Sequence, residues 1–281
     1  MNLYLISKLN INSLFFFVHN NKIFQGEKMD NLQLEGKNAV LEALNNSKAI
    51  DKIMIKKGYA EGSLKSIVAK AKKIGIVVQE VNKNKLDYIS QSKNHQGIIA
   101  LSPAKNYCTV EDILENAKSK NEEPFILILD EISDPRNFGA IIRTAECCAV
   151  HGIIIPKHRN SGLTGIVSKT SAGALEHVLI AKVSNLVNTI DKLKKNGLWI
   201  TCADMNGEIM YNLDFKIPTA LIVGSEGFGV GKLIAQNSDF KAKIPMSGKI
   251  ESLNASVAAS ILMYEIVRQR TMKGNLNVNS K

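Results

Sequence analysis

The chain is poor in the residues that build metal centres and disulfide frameworks. Its four cysteines, Cys108, Cys147, Cys148 and Cys202, show no CxxC pair and no Cys/His ligand spacing. An adjacent pair on one helix is also badly placed for cross-linking. The chain therefore reads as a protein of a reducing cytoplasm that holds no metal. Long apolar runs are missing too. The strongest candidate, "LFFFV" within residues 1–28, is too short to span a bilayer, and no small-residue cleavage site follows it. It reads neither as a membrane span nor as a signal peptide. No internal repeat is present, and no low-complexity tract beyond a general Asn/Lys bias. Arginine is scarce: there are five, all after residue 135 (Arg136, Arg143, Arg159, Arg268 and Arg270).

What is present is a hydrophobic fraction of 45% in 281 residues, enough for two modest domains with proper cores. The net charge of +10 favours a polyanionic partner, although a Lys/Asn-rich composition also produces such a charge with no partner behind it. The distribution is more informative. Residues 48–105 hold twelve lysines and no arginine, against only Asp51, Glu61, Glu80 and Asp87. That stretch is a basic module, and the later arginines offer planar, bidentate recognition in a different part of the chain.

Residues 1–30 read as a poorly ordered extension or a misassigned start, because regular patterning begins only after Met29. From Gly36 the pattern alternates: helix over 37–46, strand at "DKIMIKK", helix over 62–74, strand at "IGIVVQEV", a short helix near 84–90 and a strand at "GIIALSP". This predicts a small α/β domain over 31–103. Residues 104–123 are polar and read as a linker carrying one short helix at "VEDILENAK". A second α/β domain over 124–271 follows, with apolar runs suited to a parallel sheet covered on both faces: "FILILD", "GIIIP", "HVLIAKV", "LWITCADM", "TALIVG" and "KAKIP". Residues 272–281 read as a disordered tail.

Three stretches of the second domain carry candidate chemistry. In "DPRNFGAIIRTAECC", Asp134 and Pro135 start a helix as N-cap and first helical residue. Phe138, Ile141, Ile142 and Ala145 form one stripe, and Arg143 falls on a second, small-residue face. There it is either a surface partner of Glu146 or a guanidinium kept for a ligand. "LIVGSEGFGVGK" follows a buried strand and leads into a helix. As a phosphate loop it fails, since Gly231-Lys232 is followed by Leu233 and Glu226 stands where the leading glycine belongs. A carboxylate there would also repel a pyrophosphate at the helix N-terminus. The glycines serve a ligand without phosphates at that point, or only a turn. "KIPMSGKIESLNASVAASILMYEIVRQR" runs from a strand through a polar loop into a helix starting near Ser252 to Asn254. Its first turns are small residues, fit for close packing or a subunit contact. Arg268 and Arg270 suit the dipole at its end.

Together "DPRNFGAIIRTAE", "LIVGSEGFGVG" and "IPMSGKIESLNASVAAS" resemble the three ordered motifs of the SpoU/TrmH branch of the SPOUT RNA methyltransferases, and "SKTSAGALEHV" extends the match. "LEGKNAVLEAL" and "HQGIIAL" resemble the RlmB-like subgroup, which methylates a guanosine ribose in the peptidyl-transferase P loop of 23S rRNA. The resemblance covers Gln33 to Arg270. It implies a C-terminal parallel-sheet domain tied in a trefoil knot, behind a smaller α/β domain of the ribosomal L30e-like fold that binds the RNA. It implies S-adenosylmethionine as methyl donor with no metal, held by Gly224, Glu226, Gly227, Ile244, Met246, Leu253 and Asn254. Asn137, Arg143, Glu226, Ser252 and Asn254 would be the catalytic set, in a homodimer acting on 23S rRNA or the assembling large subunit, with no membrane involved. A guanidinium stays protonated in proteins and makes a poor general base, so Arg143 is expected to grip a phosphate and orient the ribose hydroxyl. Two other readings stand beside this one: a tRNA ribose methyltransferase, and a non-catalytic rRNA-binding protein.

Overall fold

The computed structural model describes residues 33–46, 49–58, 63–249 and 252–271. The expectations for residues 1–30 and 272–281 lie outside the described residues. The front unit comprises β1 (Gln33–Glu35), α1 (Lys37–Asn45), β2 (Lys52–Lys56), α2 (Ser63–Lys73), β3 (Val77–Val81), α3 (Lys83–Ile89) and β4 (Ile98–Leu101). Its sheet runs β1-β4-β2-β3, with β2 and β3 parallel and the other neighbours antiparallel. Strand alternation supplies both faces. Ile53, Ile98 and Ala100 meet Val40 and Leu44 of α1 and Ile67 and Ala71 of α2. Met54 and Ile99, one residue out of phase, meet Leu86 of α3.

The "HQGIIAL" stretch is a stitched turn. The buried His95 accepts the Gly97 N–H at Nδ1 (3.0 Å) and donates from Nε2 to Asp87 (2.8 Å), so both sides of its ring are fixed. Gln96 Oε1 accepts the Lys37 N–H at 3.2 Å, tying the turn to the start of α1. Strand β1 went unanticipated because three residues are too few to show a period of two. It nonetheless carries Glu35, whose carboxylate accepts from Ser90 Oγ (2.7 Å), Gln91 N (2.6 Å), Ser92 N (3.2 Å) and Ser92 Oγ.

The second unit begins with α4 (Val110–Ser119), inside the stretch expected to be a linker. A reciprocal cap between Thr109 and Asp112 starts it (Asp112 N to Thr109 Oγ1 3.1 Å, Thr109 N to Asp112 Oδ2 2.8 Å). Its Val110 and Ile113 are buried in the core of the following sheet. That unit continues with β5 (Phe125–Leu129), α5 (Pro135–Cys147), β6 (Gly152–Pro156), α6 (Gly165–Thr170), β7 (Ile180–Val183), α7 (Leu186–Lys195), β8 (Trp199–Ile209), β9 (Thr219–Val223), α8 (Lys232–Gln236), β10 (Phe240–Lys243) and α9 (Ala255–Thr271). Six strands form one wholly parallel sheet in the order β10-β8-β9-β5-β6-β7. Phe125, Leu127 and Leu129 face the core shared with α5 and α9. Ile126 and Ile128 face the other, with Ile113 of α4 and Ile190 and Leu193 of α7.

Between β9 and α9 the chain visits the sheet edge at β10 and then returns over the middle of the sheet. Two residues in the last turn of α9 hold the far end of that return. Gln269 accepts the Phe215 N–H (2.9 Å) and donates to Leu213 O (3.0 Å). Arg270 turns inward and donates to four carbonyls: Phe215 (3.1 Å), Glu123 (2.7 Å), Pro124 (3.1 Å) and Ile217 (2.8 Å). Burial pushes its guanidinium down to about 10, with Glu123 and Glu122 pulling the other way. This differs from the dipole-capping role expected of it. Arg268 stays half exposed and pairs with Glu265 at 2.7 Å.

Burial would raise Glu35, but the hydroxyls of Ser92 and Ser90 and the N–H groups of Gln91 and Ser92 outweigh it and hold the carboxyl down to about 2. A depressed folded value adds stability above the ordinary value of 4.5, and that gain is lost as pH falls through the folded value. Glu35→Gln should therefore lower the melting temperature at pH 7 and lower it less at pH 3. A deficit that does not change with pH would contradict this account of the Ser90–Ser92 loop.

Candidate active site

Three segments far apart in sequence converge beyond the carboxyl ends of β5 and β9. The first is the start of α5, where Asp134 Oδ1 accepts the N–H groups of Arg136 (2.6 Å) and Asn137 (3.2 Å), and Pro135 gives up no needed donor. The cap directs Asn137 out of the first turn. Gly139, two residues on, lies against α6, where an added Cβ would strike Thr170 and the Val167 carbonyl.

The second segment is the glycine loop after β9. Ser225 and Gly229 pair through their backbones (Ser225 N to Gly229 O 3.1 Å, Gly229 N to Ser225 O 2.9 Å), closing a tight turn that needs Gly229 at φ +64. Gly224 sits beneath this turn, and a Cβ there would run into the backbone of Gly229 and Val230. The loop's far side is fixed by Asp130, whose Oδ2 accepts the Gly231 N–H at 2.8 Å. Burial raises the Asp130 carboxyl, Gly231 opposes the shift and Glu131 adds to it. The sequence reading missed Asp130; its only signal was an acid placed directly after the apolar run "FILIL". Phe228, also missed, stands at the loop tip with 94% of its surface exposed.

The third segment is the return into α9, and Asn254 works in two directions there. Its Oδ1 caps the helix by accepting the Ser256 N–H (2.9 Å) and Ser256 Oγ (2.6 Å). Its Nδ2 donates to Asn137 Oδ1 (3.1 Å) and to Glu226 Oε1. Asn137 Nδ2 donates to the same Glu226 oxygen at 2.7 Å. Two amides thus hold one carboxylate oxygen, and Glu226 Oε2 has no partner among the described residues. The arrangement offers a fixed, solvent-open acceptor beside a set of close-packed backbone groups.

The other sequence-derived candidates are placed less tightly. Ile244 packs its side chain on the first core, Leu253 is half-buried next to Asn254, and Met246 and Gly227 are exposed. Ser252 and Arg143 are exposed, and neither side chain makes a hydrogen bond or ion pair among the described residues. Arg143 and Glu146, both exposed, form no ion pair with each other. Arg143 lies six residues past Asn137, about 9 Å further along the helix axis at 1.5 Å per residue, and on another face. No group of His, Cys, Asp or Glu suited to a metal occurs among the described residues, nor a helix long and apolar enough to cross a membrane.

Comparison with known proteins gives concordant results. The SpoU rRNA Methylase family model matches residues 124–264, and an RNA 2′-O ribose methyltransferase substrate-binding model matches residues 33–108. YacO of Bacillus subtilis (strain 168), named for the TrmH family of tRNA/rRNA methyltransferases, is 44% identical over 240 residues, 85% of this chain and 96% of its own. A Staphylococcus aureus (strain MSSA476) protein of the same family name is 42% identical over 249 residues, 88% of this chain and all (100%) of its own. Among solved structures, the SpoU methyltransferase AviRb of Streptomyces viridochromogenes, in complex with AdoMet, superposes with TM-score 0.55 at 20% identity, covering 85% of this chain and 90% of that one. An AdoMet-bound rRNA methyltransferase of Sinorhizobium meliloti gives 0.54 at 24%, covering 84% and 87%. At those identities the likeness speaks to the fold.

The two roles of Asn254 are separable. Asn254→Ala should cost about 1 kcal/mol for the lost cap, and Asn254→Ser should recover most of that because a hydroxyl also caps. Both variants should lose amide-exchange protection in residues 225–229, since neither side chain reaches Glu226. Full protection in the serine variant would show that Asn254 does not hold the loop.

Proposed function

The chain belongs to the SpoU rRNA methylase family of RNA methyltransferases, and on that premise we propose that it transfers a methyl group from S-adenosylmethionine to the ribose 2′-oxygen of a guanosine in the peptidyl-transferase P loop of 23S rRNA. It would work in the cytoplasm as a homodimer. The observation that carries this reading is the meeting of Asn137, Glu226 and Asn254 in one hydrogen-bonded group, open to solvent at Glu226 Oε2.

The donor set suits the cofactor. A carboxylate beside the Gly224 cradle repels phosphate but accepts a ligand that carries a sulfonium and an ammonium. Gly224, Gly227, Ile244, Met246 and Leu253 would hold the adenosine and methionine portions, with Glu226 and Asn254 at the reacting end. When bound, S-adenosylmethionine supplies an electrophilic methyl group on sulfur. The chain's own part is orientation. Asn137 and Asn254 fix Glu226, Ser252 adds a hydroxyl at the mouth, and Arg143, exposed and with no side-chain partner among the described residues, grips the phosphate beside the target so that the 2′-hydroxyl lies in line. The front unit, a basic module by its lysines, supplies salt-dependent RNA affinity. The return between β10 and α9 would pass through the loops at 130–134 and 224–231 to make the knot.

The RNA itself names the substrate. Ribose methylations mapped in total RNA from cells with and without the gene should differ at one 23S rRNA guanosine; loss of a tRNA methylation instead would move the assignment to tRNA, and no loss anywhere would favour the binding-protein reading. Arg143→Ala should leave cofactor affinity and melting temperature unchanged while cutting methyl transfer by orders of magnitude. Arg143→Lys keeps the charge without the planar fork and should recover little. Near-normal turnover in the alanine variant would contradict the role given to Arg143.

A further inference from the structure

The two units are joined at a largely enclosed acid. Asp51 lies just before β2, with its side chain 9% exposed and paired with Lys182 of β7, itself 15% exposed. Tyr107 donates its hydroxyl to Asp51 Oδ1 at 2.9 Å and accepts the Leu163 N–H at 3.2 Å. The Lys182 ammonium also sits 5.0 Å from the centre of the Tyr107 ring. Gly162 completes the seat, because a Cβ there would land on Asp51 Oδ2. A buried, hydrogen-bonded pair adds little net stability but fixes a geometry well, since any other arrangement strands a charge. Asp51 also stabilises the charge of neighbouring Lys52, against Lys85 and Lys182.

The position of Asp51 matters mechanically. The covalent connection is already strapped to the second unit: Ala104 N donates to Leu163 O at 2.6 Å, and Lys105 Nζ to the carbonyls of Leu175 (2.9 Å), Glu176 (2.8 Å) and Val178 (3.0 Å). Rotation about that connection is left to the short stretch between Leu101 and Ala104. Asp51 N donates to Leu101 O at 2.8 Å and leads into the interior strand β2, so holding its carboxylate holds the front sheet.

We propose that Asp51, seated on Lys182, Tyr107 and Gly162, is a positioning residue that sets the angle at which the front unit presents RNA to the Glu226 and Asn254 site. This rests on the RNA methyltransferase reading above. The test uses the full chain with three variants. Asp51→Ala removes the carboxylate. Gly162→Ala displaces it without altering any charge. The double variant should be no worse than the worse single, because the methyl group added at position 162 then meets no carboxylate. Turnover at saturating RNA, a transcript of the 23S peptidyl-transferase region, should fall tenfold or more in each single variant, with S-adenosylmethionine affinity unchanged. Small-angle scattering should show an enlarged radius of gyration in both. Asp51→Asn, which keeps the shape and the Tyr107 bond, should fall between parent and Asp51→Ala and serves if that variant does not fold. Unchanged scattering overturns the proposal, as does enlarged scattering with full turnover. A parent protein that methylates no RNA would refute the functional reading instead, and scattering would still decide whether Asp51 fixes the front unit.

Discussion

The site depends on one side chain that satisfies two unrelated demands. A helix start leaves backbone N–H groups without partners, and the glycine loop leaves a carboxylate projecting into solvent. Asn254 answers the first with its carbonyl oxygen and the second with its amide, so one residue both starts α9 and holds the carboxylate of the site. The other end of α9 is held as firmly, by Gln269 and Arg270 on the carbonyls and N–H groups around β5 and β9. A long return from the sheet edge is thereby tied down at both ends.

Much of the fold was legible in the sequence, for physical reasons that differ between elements. Apolar runs such as "FILIL" and "GIIIP" read as doubly covered strands because both faces of a parallel strand are buried. Helix α5 was readable from Asp134 and Pro135, whose capping roles are local. Strand β1 was not, because three residues show no period and its pairing with β4 lies far away in sequence. Arg270 was misread for a related reason. Its position at a helix end suggests the dipole, and only the three-dimensional closure reveals four carbonyls around it.

The meeting of Asn137, Glu226 and Asn254 was to be expected from the resemblance and hardly at all from local physics. Nothing within "GSEGFG" states that two amides from residues 137 and 254 will share one oxygen of Glu226. What local reasoning supplied was an exclusion: a carboxylate in the loop does not suit a phosphate ligand. The roles of Asp130 and Asp51 were not legible because an acid held in the interior looks in sequence like any other acid, and only its partners give it a role. Arg143 was singled out as an oddity on an apolar helix; its side chain is exposed and has no partner among the described residues.

Under the proposed function, Asn137, Glu226 and Asn254 act as one unit in methyl transfer. The most direct measurement is a double-mutant cycle on kcat/KM for RNA, with Asn137→Ala and Glu226→Ala made singly and together. Residues sharing one hydrogen-bonded network lose their function jointly, so the double variant should be little worse than the worse single. Strictly multiplicative losses would contradict the account, since they would mean that the residues act independently and that their meeting at one carboxylate oxygen has no catalytic consequence.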